Sequence, residues 1–256
     1  MILRPLQPPP PTEEFLPAWE TVERIQSQVY ESCWMITQPS HAALAGELAA
    51  KLDAPQFPVP DEQVLRAIAL HDAGWGIPDA QTITQSRSPH PHQPKSFLAT
   101  SVPQYLEAWL KSIETAESVS SAGGYVVSRH FWRLAEHRLN AEENRPERQK
   151  LATFLKSEER RQKKLAERQS LSVPQLEELT DLLQFCDLLS LYLCCGSRQN
   201  VVFPAYFGIE LRIRSEEEMY KLDPPLMADG TAFAVAALKY PAGKGESSRE
   251  IEIKVG

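Results

Sequence analysis

The spacing of apolar positions predicts a mostly helical chain. Between residues 12 and 195, hydrophobic side chains recur at three- and four-residue intervals, which places them on one face of a helix. Two of these segments open with Ser101-Val-Pro-Gln104 and Ser172-Val-Pro-Gln175, which match the capping box that begins a helix. The predicted helices span residues 12–28, 40–52, 61–71, 101–116, 122–139, 142–168 and 172–195.

Strand patterns occupy a smaller part of the chain. Residues 29–37 are rich in β-branched and aromatic side chains, and short β-type segments separated by Pro and Gly turns follow Gly196. These later strands are predicted at 201–203, 206–213, 231–239 and 250–255. We therefore predict a mainly α fold, a helical bundle with a small antiparallel β-sheet formed mostly by the C-terminal region.

Two stretches follow neither pattern. Residues 1–11 are proline-rich and predict a loose leader, and residues 73–100 carry closely spaced Gly and Pro residues that predict an irregular, lid-like segment. The expected organisation is a leader with a helix (1–28), a helical domain (29–196) and a small β-rich extension packed on it (197–256).

Composition and charge narrow the class of protein. A hydrophobic fraction of 42% can build a sizeable core, and a net charge of -7 argues against nucleic-acid and membrane partners. The N-terminus lacks the apolar stretch of a secretory signal, and the most apolar run, 182–195, is too short to span a bilayer. We expect a cytoplasmic protein whose four cysteines are buried, reduced thiols.

A carboxylate on an apolar helix face is the first candidate for chemistry. Asp187 follows Leu179 and Leu183 at helical spacing, so it faces the predicted core. An unpartnered carboxylate there would be costly, so Asp187 needs an arginine, backbone donors or a metal. The residue type alone leaves these alternatives open.

Two histidines and a second aspartate extend this candidate. His71 and Asp72 stand together at the predicted end of an apolar helix, just before Gly74, and His41 stands near the start of another. Taken singly, each has a simpler explanation: His71 would interact with the helix dipole, and His41 would be a capping or partly exposed residue.

The order of these residues is more specific than any one of them. A His, a gap of 29 residues, a His-Asp doublet and a distant Asp in an apolar helix follow one another in a helical chain. This order resembles the HD-domain metal-dependent phosphohydrolase superfamily. The residues that flank the four positions are similar to those of an uncharacterised bacterial branch of it. The resemblance covers residues 38–195 and implies an HD-like bundle with the metal ligands His41, His71, Asp72 and Asp187.

The resemblance also implies a function. Two imidazoles and two carboxylates suit a divalent transition metal (Fe, Mn, Co, Ni or Zn), as one or two ions. The implied protein is a hydrolase, a phosphomonoesterase or nucleotide phosphohydrolase, that uses metal-bound hydroxide and in which Asp72 doubles as a proton acceptor. Its partner would be a small, anionic, phosphorylated substrate, and its exposed C-terminal strands also allow a homodimer. Trp75 follows Gly74 where better-known members carry Lys or a carboxylate, and a Gly-Tyr-Pro motif is absent from the sequence, so cyclic-dinucleotide cleavage is not supported.

Further polar residues are candidates for the same site. His130 and His137 share one helix stripe, which makes His130 a candidate catalytic residue or second-metal ligand and His137 a candidate substrate contact. Arg129, on that helix, and His92 and Lys95, in the irregular segment, are candidate phosphate contacts. Their alternatives are a surface ion pair for Arg129 and an exposed loop for His92 and Lys95.

Two other functions fit the same residues. Some HD-type proteins are di-iron oxygenases, and here His130 with His92 or His137 would supply the extra ligands. A non-catalytic metal- or ligand-binding protein is the other alternative. Asp79, which follows the doublet closely, is a candidate supporting or acid–base residue.

Overall fold

The computed structural model describes residues 1–88, 90–216, 219–242 and 247–256. Within them, the α-helices are α1 (Ala18–Gln26), α2 (Gln38–Lys51), α3 (Glu62–Ala69), α4 (Gly76–Ser86), α5 (Val102–Val119), α6 (Ser121–Ala141), α7 (Arg145–Ala166) and α8 (Val173–Cys195). The strands are β1 (Ile2–Pro5), β2 (Leu16–Pro17), β3 (Cys33–Ile36), β4 (Val201–Val202), β5 (Arg212–Glu216), β6 (Met219–Asp223), β7 (Thr231–Tyr240) and β8 (Ser248–Val255).

The described strands join in one curled, mixed sheet. Their order is β1-β3-β7-β8-β6-β5-β4-β2, and the neighbours β6–β8 and β2–β4 are parallel. The chain is about 53% helical and 17% strand. The predicted small antiparallel sheet from the C-terminal region was therefore wrong, because N-terminal residues supply β1, β2 and β3 and the sheet spans both ends of the chain.

Strand β1 lies inside the stretch that was predicted as a loose leader. Ile2 pairs with Ile36 of β3 and is fully buried in the main core, while Leu3 packs beside Met35 in a second cluster. A strand buried on both faces lacks the alternation of apolar and polar residues that marks a half-exposed strand. The prolines that follow it made the whole stretch look irregular.

Helices α2, α3, α6 and α8 surround the predicted metal ligands. Helix α2 packs on α3, α8 and β7, and α6 packs on α3, α5, α7 and α8. Arg4 of β1 donates from Nη1 to the carbonyl oxygens of Leu193 and Cys194, at 2.9 and 3.4 Å, near the C-terminal end of α8. The bundle and the sheet therefore share one core.

More than half of the segment 73–100 is helical, so the prediction of an irregular lid was wrong there. A 3-10 turn at Ala73–Trp75 leads into α4, and a second such turn spans Phe97–Ala99. Ile83 of α4 packs against the cluster that contains Met35. Pro78 is tolerated because it lies in the first turn of α4, where its missing N–H removes no helical hydrogen bond. Pro89 lies outside the described residues.

The strand predicted over 206–213 begins only at Arg212, as β5, for a local reason. Phe207 and Gly208 adopt positive φ angles of 54° and 74°, and Tyr206 bridges to Ile209 across the resulting turn. An apolar run that turns back on itself has the composition of a strand without its geometry.

Two expectations from the composition concern membrane-spanning helices and the cysteine thiols. Among the described helices, none combines the length and apolar character needed to cross a membrane. The prediction of buried, reduced cysteines is confirmed, because all four are buried and unbridged.

Candidate metal centre

All four predicted metal ligands lie close together where α2, the end of α3 and α8 meet. His41 lies in the first turns of α2, His71 and Asp72 follow α3, and Asp187 lies within α8. Both histidines are fully buried, whereas the side chains of Asp72 and Asp187 are 9% and 16% exposed. The structure therefore brings together residues from three distant parts of the chain.

The imidazole nitrogens and carboxylate oxygens lie close together. His41 Nε2 is 2.9 Å from Asp72 Oδ2 and 3.8 Å from Asp187 Oδ1. His71 Nε2 is 3.2 Å from Asp187 Oδ1 and 3.9 Å from Asp72 Oδ2. One ligand atom each from His41, His71 and Asp187 lies within 4.8 Å of the other two, an arrangement that could hold a metal ion.

Hydrogen bonds on the far side of each ring orient the two imidazoles. His71 Nδ1 donates to the Ile68 carbonyl oxygen at 2.8 Å. The Ser190 hydroxyl donates to the Asp187 carbonyl oxygen at 2.9 Å, so it is left to accept from His41 Nδ1, also at 2.9 Å. Both rings therefore direct Nε2 toward the carboxylates, as histidines that bind metals do.

The cluster requires positive charge between its nitrogens and oxygens, because an unprotonated Nε2 this close to a carboxylate would be repelled. Burial lowers the pKa of His71, but Asp72 and Asp187 outweigh it and raise that pKa to about 9. Burial raises the pKa of Asp187, but the neighbouring histidines, His71 first, outweigh it and lower that pKa to about 2. This donor set fits a divalent cation, which would replace the proton on His71.

Gly74 allows the turn after the doublet to lie against α5. A Cβ atom at this position would come within 2.0 Å of the Ala108 carbonyl oxygen. The Gly74 N–H also donates to the Ser112 hydroxyl at 3.0 Å. The close backbone approach explains why glycine follows the His-Asp pair so closely.

His130 of α6 lies at the edge of the cluster. Its Nε2 is 3.8 Å from Asp187 Oδ2, and its ring meets that of His71 edge-on at a centroid distance of 5.6 Å. Burial lowers the pKa of His130 to about 4, so the ring is neutral near pH 7. Its Nδ1 has no hydrogen-bond partner among the described residues.

The other predicted contacts lie in different surroundings. His137 lines the cavity beside the cluster. Arg129 Nε forms an ion pair with Glu177 Oε1 at 3.0 Å, which is the surface alternative. Lys95 lines a separate cavity, and His92 is an exposed residue whose N–H donates to a backbone carbonyl. The structure thus brings only His130 and His137 of these candidates to the cluster or its cavity.

Several residues near the cluster were missed from the sequence. Ser190 stands one helical turn after Asp187, and this spacing was the available signal for its role. Tyr105 and Trp109 are four residues apart on α5 and line the cavity, as does Arg138, next to His137. Aromatic residues at helical spacing look like ordinary core positions, so no pattern marks these as cavity walls.

Replacing Ser190 with alanine should weaken metal binding by about 10- to 100-fold, because His41 would lose the hydrogen bond that orients its ring. Titration calorimetry of the metal-free protein with Zn²⁺ measures this change. Thr180→Ala is the matched control, since Thr180 is a buried hydroxyl of the same helix that donates only to the Leu176 carbonyl oxygen. Equal affinities for the two variants would contradict the orienting role.

Comparison with known proteins assigns the chain to a family but does not assign it an activity. No curated protein and no solved structure matches the chain. The family model described as "Protein of unknown function (DUF3891)" matches residues 25–227, a span that contains all four candidate ligands and His130. The chain therefore belongs to the DUF3891 family of proteins of unknown function.

Proposed function

We propose that this protein is a metal-dependent phosphohydrolase that acts on a small phosphomonoester. The observation that carries the proposal is the convergence of two imidazole Nε2 atoms on the carboxylates of Asp72 and Asp187 beside a cavity. Four protein ligands on a six-coordinate ion would keep positions for water and substrate. The ligand order along the chain supports the same conclusion through its resemblance to the HD-domain superfamily.

The ion would be held by His41, His71, Asp72 and Asp187. Mixed nitrogen and oxygen donors suit Fe, Mn, Co, Ni or Zn better than Mg or Ca. When bound, such an ion acts as a Lewis acid that polarises a phosphoryl oxygen and lowers the pKa of a coordinated water molecule.

The remaining tasks fall to the side chains of the protein. Asp72, which lines the cavity, would accept the proton of the attacking water. His130, which lines the same cavity, would hydrogen-bond to the leaving oxygen. The mostly apolar wall of the cavity would exclude bulk water from the bond that breaks.

The position of His130 also supports an alternative, a dinuclear site. Because His130 Nε2 is 3.8 Å from Asp187 Oδ2, His130 and Asp187 would hold the second ion of such a site. His137 lines the same cavity, whereas His92 is not among its lining residues. Two equivalents of iron with a visible-region absorption band would favour the di-iron oxygenase, and bound metal without turnover would favour a binding protein.

Metal analysis and a phosphatase assay test the proposal on the purified protein. We expect about one or two equivalents of a transition metal per chain, and release of phosphate from 4-nitrophenyl phosphate. The double variant His71→Ala, Asp72→Ala should lose both, because it removes two of the four ligands. The double variant His92→Ala, Asp53→Ala replaces exposed residues of the same types and should keep both.

The two readouts separate the parts of the proposal. Metal in the parent protein without phosphate release from any phosphomonoester would rule out the phosphohydrolase function. Absence of metal from the parent, even after reconstitution, would contradict both the metal site and the enzymatic function that depends on it.

A further inference from the structure

An aromatic cavity of about 140 Å³ adjoins the metal cluster. His41, Asp72, His130 and Asp187 line one part of it. The rest of the wall is mainly apolar and comes largely from α5 and α6; its members include Trp75, Tyr105, Trp109, Phe131, Leu134 and Leu191. An engineered cavity of roughly 150 Å³ with an apolar lining binds benzene, so this space fits one six-membered ring.

The size of the cavity argues against a complete nucleotide. The sugar and the base of a nucleotide would both have to fit against the apolar wall, and together they need far more than the volume of one ring. Trp109 and Phe131 stack on each other at a centroid distance of 5.0 Å and an interplanar angle of 20°, so this part of the wall is aromatic and closely packed. A flat aromatic ring is the body that such a wall accommodates best.

A positive charge stands at the other end of the cavity. Arg138 lines it, and the Arg138 guanidinium carbon lies 4.6 Å from the centroid of the Tyr105 ring. Among the described residues, no carboxylate forms a salt bridge with Arg138, whereas Arg129 and Arg133 of the same helix are paired with Glu177. Arg138 is therefore available for an anionic group of a ligand.

Helix α6 sets the distance between the two ends. His130, beside the cluster, and Arg138 are eight residues apart on this helix, which corresponds to about 12 Å along the axis. The Arg138 guanidinium lies over the Tyr105 ring, which also lines the cavity, so it borders the ring space. A ring with substituents at opposite positions matches this span.

We propose that the substrate is a single-ring aromatic phosphomonoester with a second anionic group opposite the phosphate. This proposal rests on the phosphohydrolase function and names its substrate class: the phosphate lies at the metal cluster, the ring in the aromatic cavity and the distal anion at Arg138. Hydrolysis breaks the bond between phosphorus and the phenolic oxygen and forms one between phosphorus and the oxygen of water. One proton of the water ends on the phenol and the other on the phosphate.

The test compares binding of two probes that lack a phosphate, 4-hydroxybenzoate and phenol, to the purified protein by ligand-observed NMR titration. We expect 4-hydroxybenzoate to bind about tenfold more tightly, because only its carboxylate reaches Arg138. Arg138→Gln should abolish this difference. Arg145→Gln, which removes the same charge from an exposed position on α7, should preserve it.

Two cavity-filling variants from opposite sides test the location of the ring. Leu134→Trp on α6 and Leu98→Trp in the 3-10 turn should each abolish binding of both probes. Circular dichroism identifies a variant that fails to fold, and the other variant then decides. Equal affinity of the probes for the parent, or unchanged binding in a folded cavity-filling variant, would overturn the proposal.

The assay with 4-carboxyphenyl phosphate distinguishes this inference from the function on which it rests. Binding of both probes without any release of phosphate would overturn the phosphohydrolase and leave the cavity assignment supported. Release of phosphate from this ester no faster than from methyl phosphate, without probe binding, would overturn the substrate class and leave the phosphohydrolase supported.

Discussion

Replacing Asp187 with alanine should remove the metal from the purified protein. Asp187 Oδ1 lies near both buried imidazoles, 3.2 Å from His71 Nε2 and 3.8 Å from His41 Nε2. Loss of a supporting hydrogen bond around a metal site lowers affinity by about 10- to 100-fold, so loss of a ligand should exceed 100-fold. Elemental analysis and titration with Zn²⁺ measure the change.

Asp181→Ala is the control for this variant. Asp181 lies on the same helix and has a 41% exposed side chain that pairs with Arg133, so its loss removes the same charge without touching the cluster. We expect Asp181→Ala to bind metal like the parent. If Asp187→Ala bound metal as tightly as Asp181→Ala, the assigned centre would be wrong.

Replacing Asp79 with alanine should cause the second large effect, a loss of stability. The Asp79 carboxylate is buried; its Oδ2 accepts from the Gln38 N–H at 2.6 Å and its Oδ1 pairs with the Met1 amino group at 2.7 Å. Removing one partner of a buried ion pair costs about 3–5 kcal/mol, which lowers the melting temperature by roughly 10 °C in a chain of this size. Thermal unfolding followed by circular dichroism measures it.

The matched control is Asp53→Ala, because Asp53 is exposed. Its melting temperature should stay within about 1 °C of the parent, as for other surface changes. A similar melting temperature for Asp79→Ala would show that the buried pair contributes little. The carboxylate of Asp79 holds the first residue of α2, three positions before His41, so its role is to position that helix.

The helices that carry the ligands were predictable because their signals are local. Amphipathic spacing and capping boxes indicated α5 to α8 within a few residues of their observed limits. An aspartate on an apolar helix face is unusual enough to single out Asp187. The resemblance of the residue order to the HD-domain superfamily implied the other three.

The sheet was not predictable because its signals are distant. Strand β3 lies between β1 and β7, and its pairing with β7 joins Cys33 to Tyr240 across most of the chain. No local pattern states which strands will pair over such a separation. Helix α4 was hidden by its own Gly76 and Pro78, which are signals of a loop except in the first turn of a helix.

The aromatic cavity could not be predicted for a different reason. Trp75, Tyr105 and Phe131 come from three elements, and each has the composition and spacing of an ordinary core position. Whether such a residue fills the core or borders an empty space depends on helix packing to within about an ångström. That packing is set by contacts such as the approach of Gly74 to Ala108.

The pairing of β3 with β7 affects how the protein is made. All four candidate ligands have been synthesised once the chain reaches residue 187, but β7 begins only at Thr231. Until then, one edge of β3 and the face of α2 that packs on β7 have no cover. A nascent chain therefore carries every ligand before the helix that bears His41 is supported, and firm retention of the metal would report that the last strands have docked.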